Sequence, residues 1–203
     1  MSGRFERRLI RTEYRDVLAS ARGDELRWLV NRESIRDTAS GQTVARSVIR
    51  HPGICVMVPF LDEERILLIR QYRYPIDAVL WELPAGTLSG READGRVVAA
   101  ETTEACAARE LLEETGYTAA RWEKAAEWYA MPGGNDVVVH LFFARGLTRG
   151  VQALEEGELI DEVRAFGAAE LEHMIARGEI RDAKSLVGLF HALGRRPGGV
   201  RIA

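Results

Sequence analysis

The sequence predicts an α/β fold, a mixed sheet flanked by helices and preceded by a small antiparallel β meander. Three observations carry this. Two near-continuous apolar runs, ICVMVPF (54–60) and ILLIRQY (66–72), have the length and composition of buried strands. The segment ETTEACAARELLEETG (101–116), closed by Gly116, and two later amphipathic segments read as helices. The first fifty residues alternate in the manner of half-exposed strands.

The elements follow in chain order. FERRLIRTEY, YRDVLAS, ELRWLVN and TVARSVIR are strand-like and rich in charge, separated in part by the turn signals Arg22-Gly23-Asp24 and Ser40-Gly41. They predict an N-terminal β subdomain over residues 1–50 that covers substrate or a second subunit, and a main domain over 51–203. His51-Pro52-Gly53 breaks the run, and WELPAG (81–86) ends in a tight Pro/Gly loop. Residues 87–100 fit either a loop or the start of a helix. RWEKAAEWYA (121–130) and DVVVHLFFARG (136–146) read as strands joined by the turn MPGGN. VQALEEGELID (151–161) is an acidic loop and VRAF (163–166) a short strand. AAELEHMIARG and AKSLVGLFHALG are amphipathic helices, the second expected to bury Leu186, Leu189 and Phe190.

Composition narrows the function. With 203 residues, 46% hydrophobic and 29% charged, the chain can bury one sizeable core, or one core and a small appendage. The formal net charge of -3, without a concentrated basic face, excludes a nucleic-acid footprint. MSGRFERRLIR lacks the apolar centre of a secretory signal, and no apolar run approaches the roughly 20 residues that span a bilayer. The expectation is a cytoplasmic protein that engages neither nucleic acid nor membrane. Cys55 and Cys106 sit in apolar settings and are too few for a four-thiolate zinc site, so both are expected as buried reduced thiols.

Chemistry concentrates in ARELLEETGY (108–117). On a helix turning about 100° per residue, Glu110, Glu113 and Glu114 share one sector, whereas Ala105, Ala108 and Leu112 fall on the opposite face, the one expected to pack. Arg109 lies one turn before Glu113 and can hold it. A solvated acidic stripe is the ordinary meaning of such a cluster. Yet three like charges repel unless counter-ions arrive, and oxygen-rich sites suit hard divalent cations.

Spacing adds a resemblance. Gly95-x5-Glu101-x7-Arg109-Glu110-Leu111-x-Glu113-Glu114-x-Gly116-Tyr117 resembles the signature of the Nudix hydrolases at every fixed position. HPG (51–53), IRQYRYP (69–75), WELPAG, MPGG (131–134), EEGELI (155–160) and GEIRDAKS (178–185) resemble landmarks of its ADP-ribose/nucleoside-diphosphate-sugar branch. One departure stands out. In that branch the signature glycine closes the PAG loop, here Gly86, and about nine extra residues separate it from Glu101. Gly86-x5-Glu92 meets the first half of the pattern as well. Glu101 precedes Glu110 by nine residues, so it either reaches a metal from a non-helical entry turn or serves as a cap or supporting residue.

The resemblance implies a Nudix-type α/β/α sandwich and hydrolysis, with Mg²⁺ or Mn²⁺, of the diphosphate bond of ADP-ribose or a related nucleoside diphosphate sugar. UDP-glucose and GDP-mannose are alternative substrates, and a non-catalytic nucleotide-sugar sensor is an alternative class. It implies metal ligation by Glu110, Glu114, the backbone of Ala85 and Glu101, and catalytic roles for Glu113 and Arg109. The general base is drawn from Glu155, Glu156 and Glu158, with Glu158 favoured. Arg50 and Arg73 are expected on the diphosphate, Gly86 in the binding loop, and Trp28 either stacked on a nucleobase or packed in a subunit contact. A homodimer joined through the N-terminal strands completes the expectation.

Overall fold

A computed structural model describes residues 4–194 other than 21, 22 and 156. The strands of the first half are β1 (Phe5–Ser20), β2 (Gly23–Asp37), β3 (Thr43–Arg50), β4 (Ile54–Pro59), β5 (Arg65–Arg73), β6 (Ala78–Glu82), β7 (Ala85–Thr87), β8 (Gly90–Ala93) and β9 (Arg96–Ala99). Helix α1 (Thr103–Thr115), strands β10 (Tyr117–Tyr129), β11 (Val138–Arg149) and β12 (Ile160–Gly167), and helices α2 (Ala168–Ala176) and α3 (Ala183–Gly194) follow. The chain divides into two compact units: Met1–Ile54 with Thr87–Thr102 and Trp128–Val138, and Cys55–Gly86 with Thr103–Glu127 and Val139–Ala203.

In the first unit β1, β2 and β3 form an antiparallel sheet in that order. FERRLIRTEY and YRDVLAS are one continuous strand, not two, because nothing in an alternating pattern interrupts it at Tyr14. Instead the pairing with β2 shifts register after Leu9, Thr12 and Asp16. The first two shifts place an extra residue in β1 (Ile10, then Glu13) and the third places one in β2 (Arg27), and each breaks the strict alternation of the strand that carries it. Phe5, Leu9, Ile10, Tyr14 and Val17 stay exposed along β1. The Ser40-Gly41 turn forms as expected, with Gly41 at φ +74°. Arg22, in the other turn signal, lies outside the described residues.

Residues 87–100 are neither loop nor helix start. Their greater part, Gly90–Ala99, forms the hairpin β8–β9, turned at Asp94 (φ 50°) and Gly95 (φ 71°). Two successive left-handed residues of the Asp-Gly type are what a tight hairpin requires. Asn31 Nδ2 donates to Gly95 O at 2.6 Å and Ser89 Oγ to Glu25 at 2.8 Å, so the inserted hairpin is fastened to β2.

The second unit holds the main core. Sheet β10-β11-β4-β7 contains the fully buried run Cys55–Val58, and sheet β12-β5-β6 contains the buried run Ile66–Ile69. Their unbroken apolar composition reflects burial on both faces. The turn between β6 and β7 is tied at both ends: Leu83 N donates to Ser185 Oγ at 2.7 Å, and Met57 N to Pro84 O at 2.9 Å. That fixes Ala85 and Gly86 beside α1.

Two helices present faces other than those expected. α3 buries Ser185, Gly188, Leu189 and Ala192, while Phe190 is 50% exposed. A Cβ on Gly188 would stand 2.5 Å from Leu83 Cδ1, so small residues and a close approach selected the packed face, not the largest side chains. α1 is turned round more consequentially. It buries Cys106, Ala107, Glu110, Leu111, Glu114 and Thr115 and leaves Ala105 and Ala108 exposed. Most of the glutamate-bearing face points inward. Among the described residues no helix is long and apolar enough to cross a membrane. Both cysteines are free and buried, and the Cys106 thiol is pushed up by its contact with Cys55 and by burial.

Candidate active site

The site lies in the second unit. Glu110 and Glu114 come from successive turns of α1 and Glu158 from the acidic loop before β12. One carboxylate oxygen from each lies within 4.8 Å of the others. Glu110 and Glu114 are buried and Glu158 half-buried. No other side chain joins this group among the described residues.

The supports can be traced residue by residue. Ala85 N–H donates to Glu114 Oε2 at 2.8 Å. Gly86 passes so close to α1 that a Cβ there would fall 1.8 Å from Glu110 Cδ. Only glycine lets the loop and the carboxylate share that space, a packing reason for its place in WELPAG. Arg109 Nη1 donates to Glu110 Oε1 at 2.6 Å and to Glu113 Oε2 at 2.8 Å. Glu158 is fixed within its own loop, its Oε2 accepting Glu155 N–H at 3.0 Å. Glu156 lies outside the described residues.

Beside the trio stands a charge clamp of which sequence reasoning named only Arg73. Buried Glu82 receives the Arg73 guanidinium, Nη2 to Oε2 at 2.6 Å, and the Lys184 ammonium at 2.5 Å. Lys184 also donates to Asp182 Oδ1 at 2.9 Å. Burial opposes ionisation of Glu82, but Arg73 and Lys184 outweigh it and hold its pKa below the usual carboxylate range. WELPAG and GEIRDAKS were both visible as landmarks, yet the ends of this clamp are 102 residues apart and no local spacing joins them.

Other expected site residues lie in the first unit. Arg50 is buried and grips Glu33 with two bonds, Nη2–Oε2 at 2.6 Å and Nε–Oε1 at 2.9 Å, and reaches Asp136 at 2.9 Å. Glu101 precedes α1, as its phase suggested, and accepts Ser89 N–H at 2.8 Å at the base of the hairpin. It is not one of the three clustered carboxylates. Trp28 packs on Tyr14 with ring centroids 5.6 Å apart.

Electrostatics show what the trio needs. Burial, reinforced by Glu113 and Glu158 and partly opposed by Arg109, raises the Glu110 pKa to about 7. Glu114 is pushed well above the usual range by burial and then by Glu110 and Glu158. Glu158 is raised too, chiefly by burial. Buried, all-oxygen, mutually repelling carboxylates match a hard divalent cation, whose charge would offset their repulsion.

A pH dependence follows. A folded-state pKa above the unfolded value stabilises the fold below the unfolded pKa, and that contribution disappears as pH rises through the folded pKa. For Glu110, moving from 4.5 to about 7 corresponds to about 3 kcal/mol. In EDTA, the melting temperature is expected to fall by roughly 5–10 °C between pH 5 and pH 8. Saturating Mg²⁺ at pH 8 should restore it. Differential scanning fluorimetry across that range checks both; a flat profile in EDTA would show the cluster to be uncoupled from folding.

Comparison with known proteins places the chain in a family. The NUDIX domain model matches residues 50–187. A methanol dehydrogenase activator of Bacillus methanolicus is 34% identical over 152 residues, covering 74% of this chain and 77% of that protein. An ADP-ribose pyrophosphatase of Bacillus subtilis is 32% identical over 148 residues, covering 72% and 75%. In fold, the chain is similar to a crystal structure of an ADP compounds hydrolase, with a TM-score of 0.67, 17% identity, and coverage of 90% and 91%. With that domain model spanning most of its length and such relatives aligned over most of theirs, the chain belongs to the Nudix family of pyrophosphohydrolases.

Proposed function

We propose that the chain hydrolyses the diphosphate bond of ADP-ribose, or of a closely related nucleoside diphosphate sugar, to a nucleoside monophosphate and a sugar phosphate. The observation that carries this is the carboxylate trio of Glu110, Glu114 and Glu158. Two similar proteins are named for ADP-ribose and for ADP compounds, which supports an adenosine diphosphate substrate.

Glu110 and Glu114 are the side chains that hold Mg²⁺ or Mn²⁺, with the Ala85 loop beside them. A divalent ion held there would supply charge to neutralise phosphate oxygens and so favour in-line attack by water on phosphorus. The Ala85 amide fixes one oxygen of Glu114. Arg109 restrains Glu110 and Glu113. Glu158 accepts the proton of the attacking water; burial raises its basicity, and the Glu155 amide sets its orientation. Arg73 and Lys184 place positive charge next to Glu158 and Glu114 respectively, on the side where an anionic substrate needs it.

The test is a panel of ADP-ribose, ADP-glucose, UDP-glucose, GDP-mannose and NADH, each with Mg²⁺ and with EDTA. AMP and ribose 5-phosphate from ADP-ribose, with Mg²⁺ only, is the expected result. Faster release from GDP-mannose or UDP-glucose would overturn the substrate preference, and binding without release would make the protein a sensor.

The exposed apolar row of β1 supports a homodimer joined through the N-terminal strands, since a long uncovered strand of this kind invites pairing. Light scattering at micromolar concentration is expected to give twice the chain mass; a monomer would refute the assembly.

A further inference from the structure

The loop that carries Glu158 is anchored on the helix that carries Glu110 and Glu114. The last carbonyls of a helix have no partner within it and must find one elsewhere. At the end of α1 the Leu112 carbonyl accepts Gly116 N–H at 2.9 Å. The next two are served by the acidic loop: Glu113 O accepts Ala153 N–H at 3.1 Å, and Glu114 O accepts the Gln152 side-chain amide at 2.6 Å. Gly150 N–H adds a bond to Gly116 O at 2.6 Å. The far end of the loop is held by the sheet, where Tyr72 N–H donates to Leu159 O at 3.0 Å and Ile160 pairs with Gln71. Between these anchors Glu155 and Glu158 clasp each other, Glu158 N–H to Glu155 O at 3.1 Å and Glu155 N–H to Glu158 Oε2 at 3.0 Å.

We propose that Gln152 is a positioning residue for hydrolysis: its amide fastens the root of the Glu158 loop to the C-terminal end of α1, setting the distance between Glu158 and the α1 carboxylates. Its side chain bonds directly to a carbonyl of α1. The carbonyl it holds belongs to Glu114 itself. Backbone bonds at Gly150 and Ala153 form with any sequence, whereas the Gln152 bond needs a donor of this length. The proposal rests on the reading of Glu158 as the base.

Three variants separate the cases. Gln152→Ala removes the donor. Gln152→Glu keeps the length but sets a carboxylate against the negative end of the helix. Gln152→Lys keeps a donor whose charge suits that end. We expect Gln152→Ala to lower kcat by about ten-fold with KM changed less than about two-fold. Gln152→Glu should lose at least as much, and Gln152→Lys should recover most of the rate. In a Glu158→Gln background, Gln152→Ala should add no further loss, because the two act through one group. Independently of turnover, exchange at the Ala153 and Glu155 amides should quicken by about ten-fold in Gln152→Ala while the Leu111 amide in the middle of α1 keeps its protection. Losses that multiply in the double variant would overturn the proposal. So would a Gln152→Lys no better than alanine, or a Gln152→Ala within about two-fold of the parent in kcat. If the unaltered protein released no monophosphate from any sugar nucleotide, the functional reading itself would fail, and the exchange experiment alone would decide whether Gln152 tethers the loop.

Discussion

Glu114→Gln is expected to reduce kcat by roughly a thousand-fold, about 4 kcal/mol of barrier, while the protein stays folded. Both halves follow from the site. The substitution removes one of the two α1 charges proposed to hold a cation, yet the amide has almost the same shape and its oxygen can still accept the Ala85 N–H. It also removes a buried carboxylate that burial and the charges of Glu110 and Glu158 disfavour in the ionised state. The melting temperature in EDTA at pH 8 should therefore be unchanged or higher, even as turnover collapses. Monophosphate release and a thermal melt on the same preparation check the pair. Near-normal turnover would take Glu114 out of the metal site; a collapsed melt would show that its role is structural.

Arg50→Ala should act in the opposite manner, damaging the fold more than the chemistry. Arg50 and Glu33 form an ion pair with side chains only 9% and 7% exposed. Removing one member of a buried pair strands the other charge, which typically costs about 3–5 kcal/mol. For a chain of this size that is a drop of roughly 10 °C in melting temperature. Adding Glu33→Gln should recover part of the loss, because the stranded charge is then removed. Had Arg50 instead been chiefly a diphosphate contact, the variant would raise KM and leave the melt almost untouched. Thermal melts of the single and double variants, with KM measured below the transition, separate the two outcomes.

Arg50 illustrates where sequence reading runs out. An arginine before His51-Pro52-Gly53 resembles a phosphate ligand, and nothing nearby reveals that Glu33 and Asp136 fold onto it from 17 and 86 residues away. The same holds for Glu82 and Lys184. By contrast β4 and β5 were legible, because burial on both faces forces an unbroken apolar run. The end of α1 was legible too, since Gly116 (φ 73°) takes the left-handed conformation that closes a helix. The β8–β9 hairpin is announced by Asp94-Gly95, whose glycine also meets the family spacing.

What the sequence alone determined was local: which residues lie within one helical turn of each other, where strands are buried, and which carboxylates share a sector of α1. Which way that sector faces was decided only in three dimensions. Periodicity assigned the inward face to Ala105, Ala108 and Leu112, but in the fold Glu110 and Glu114 are buried against the Ala85–Gly86 loop while Ala105 and Ala108 are exposed. The physical reason is that a helix has one axis of symmetry in its sequence and none in its surroundings. Its own pattern ranks its faces by polarity, while the partner surfaces, built from distant residues, set which face is enclosed.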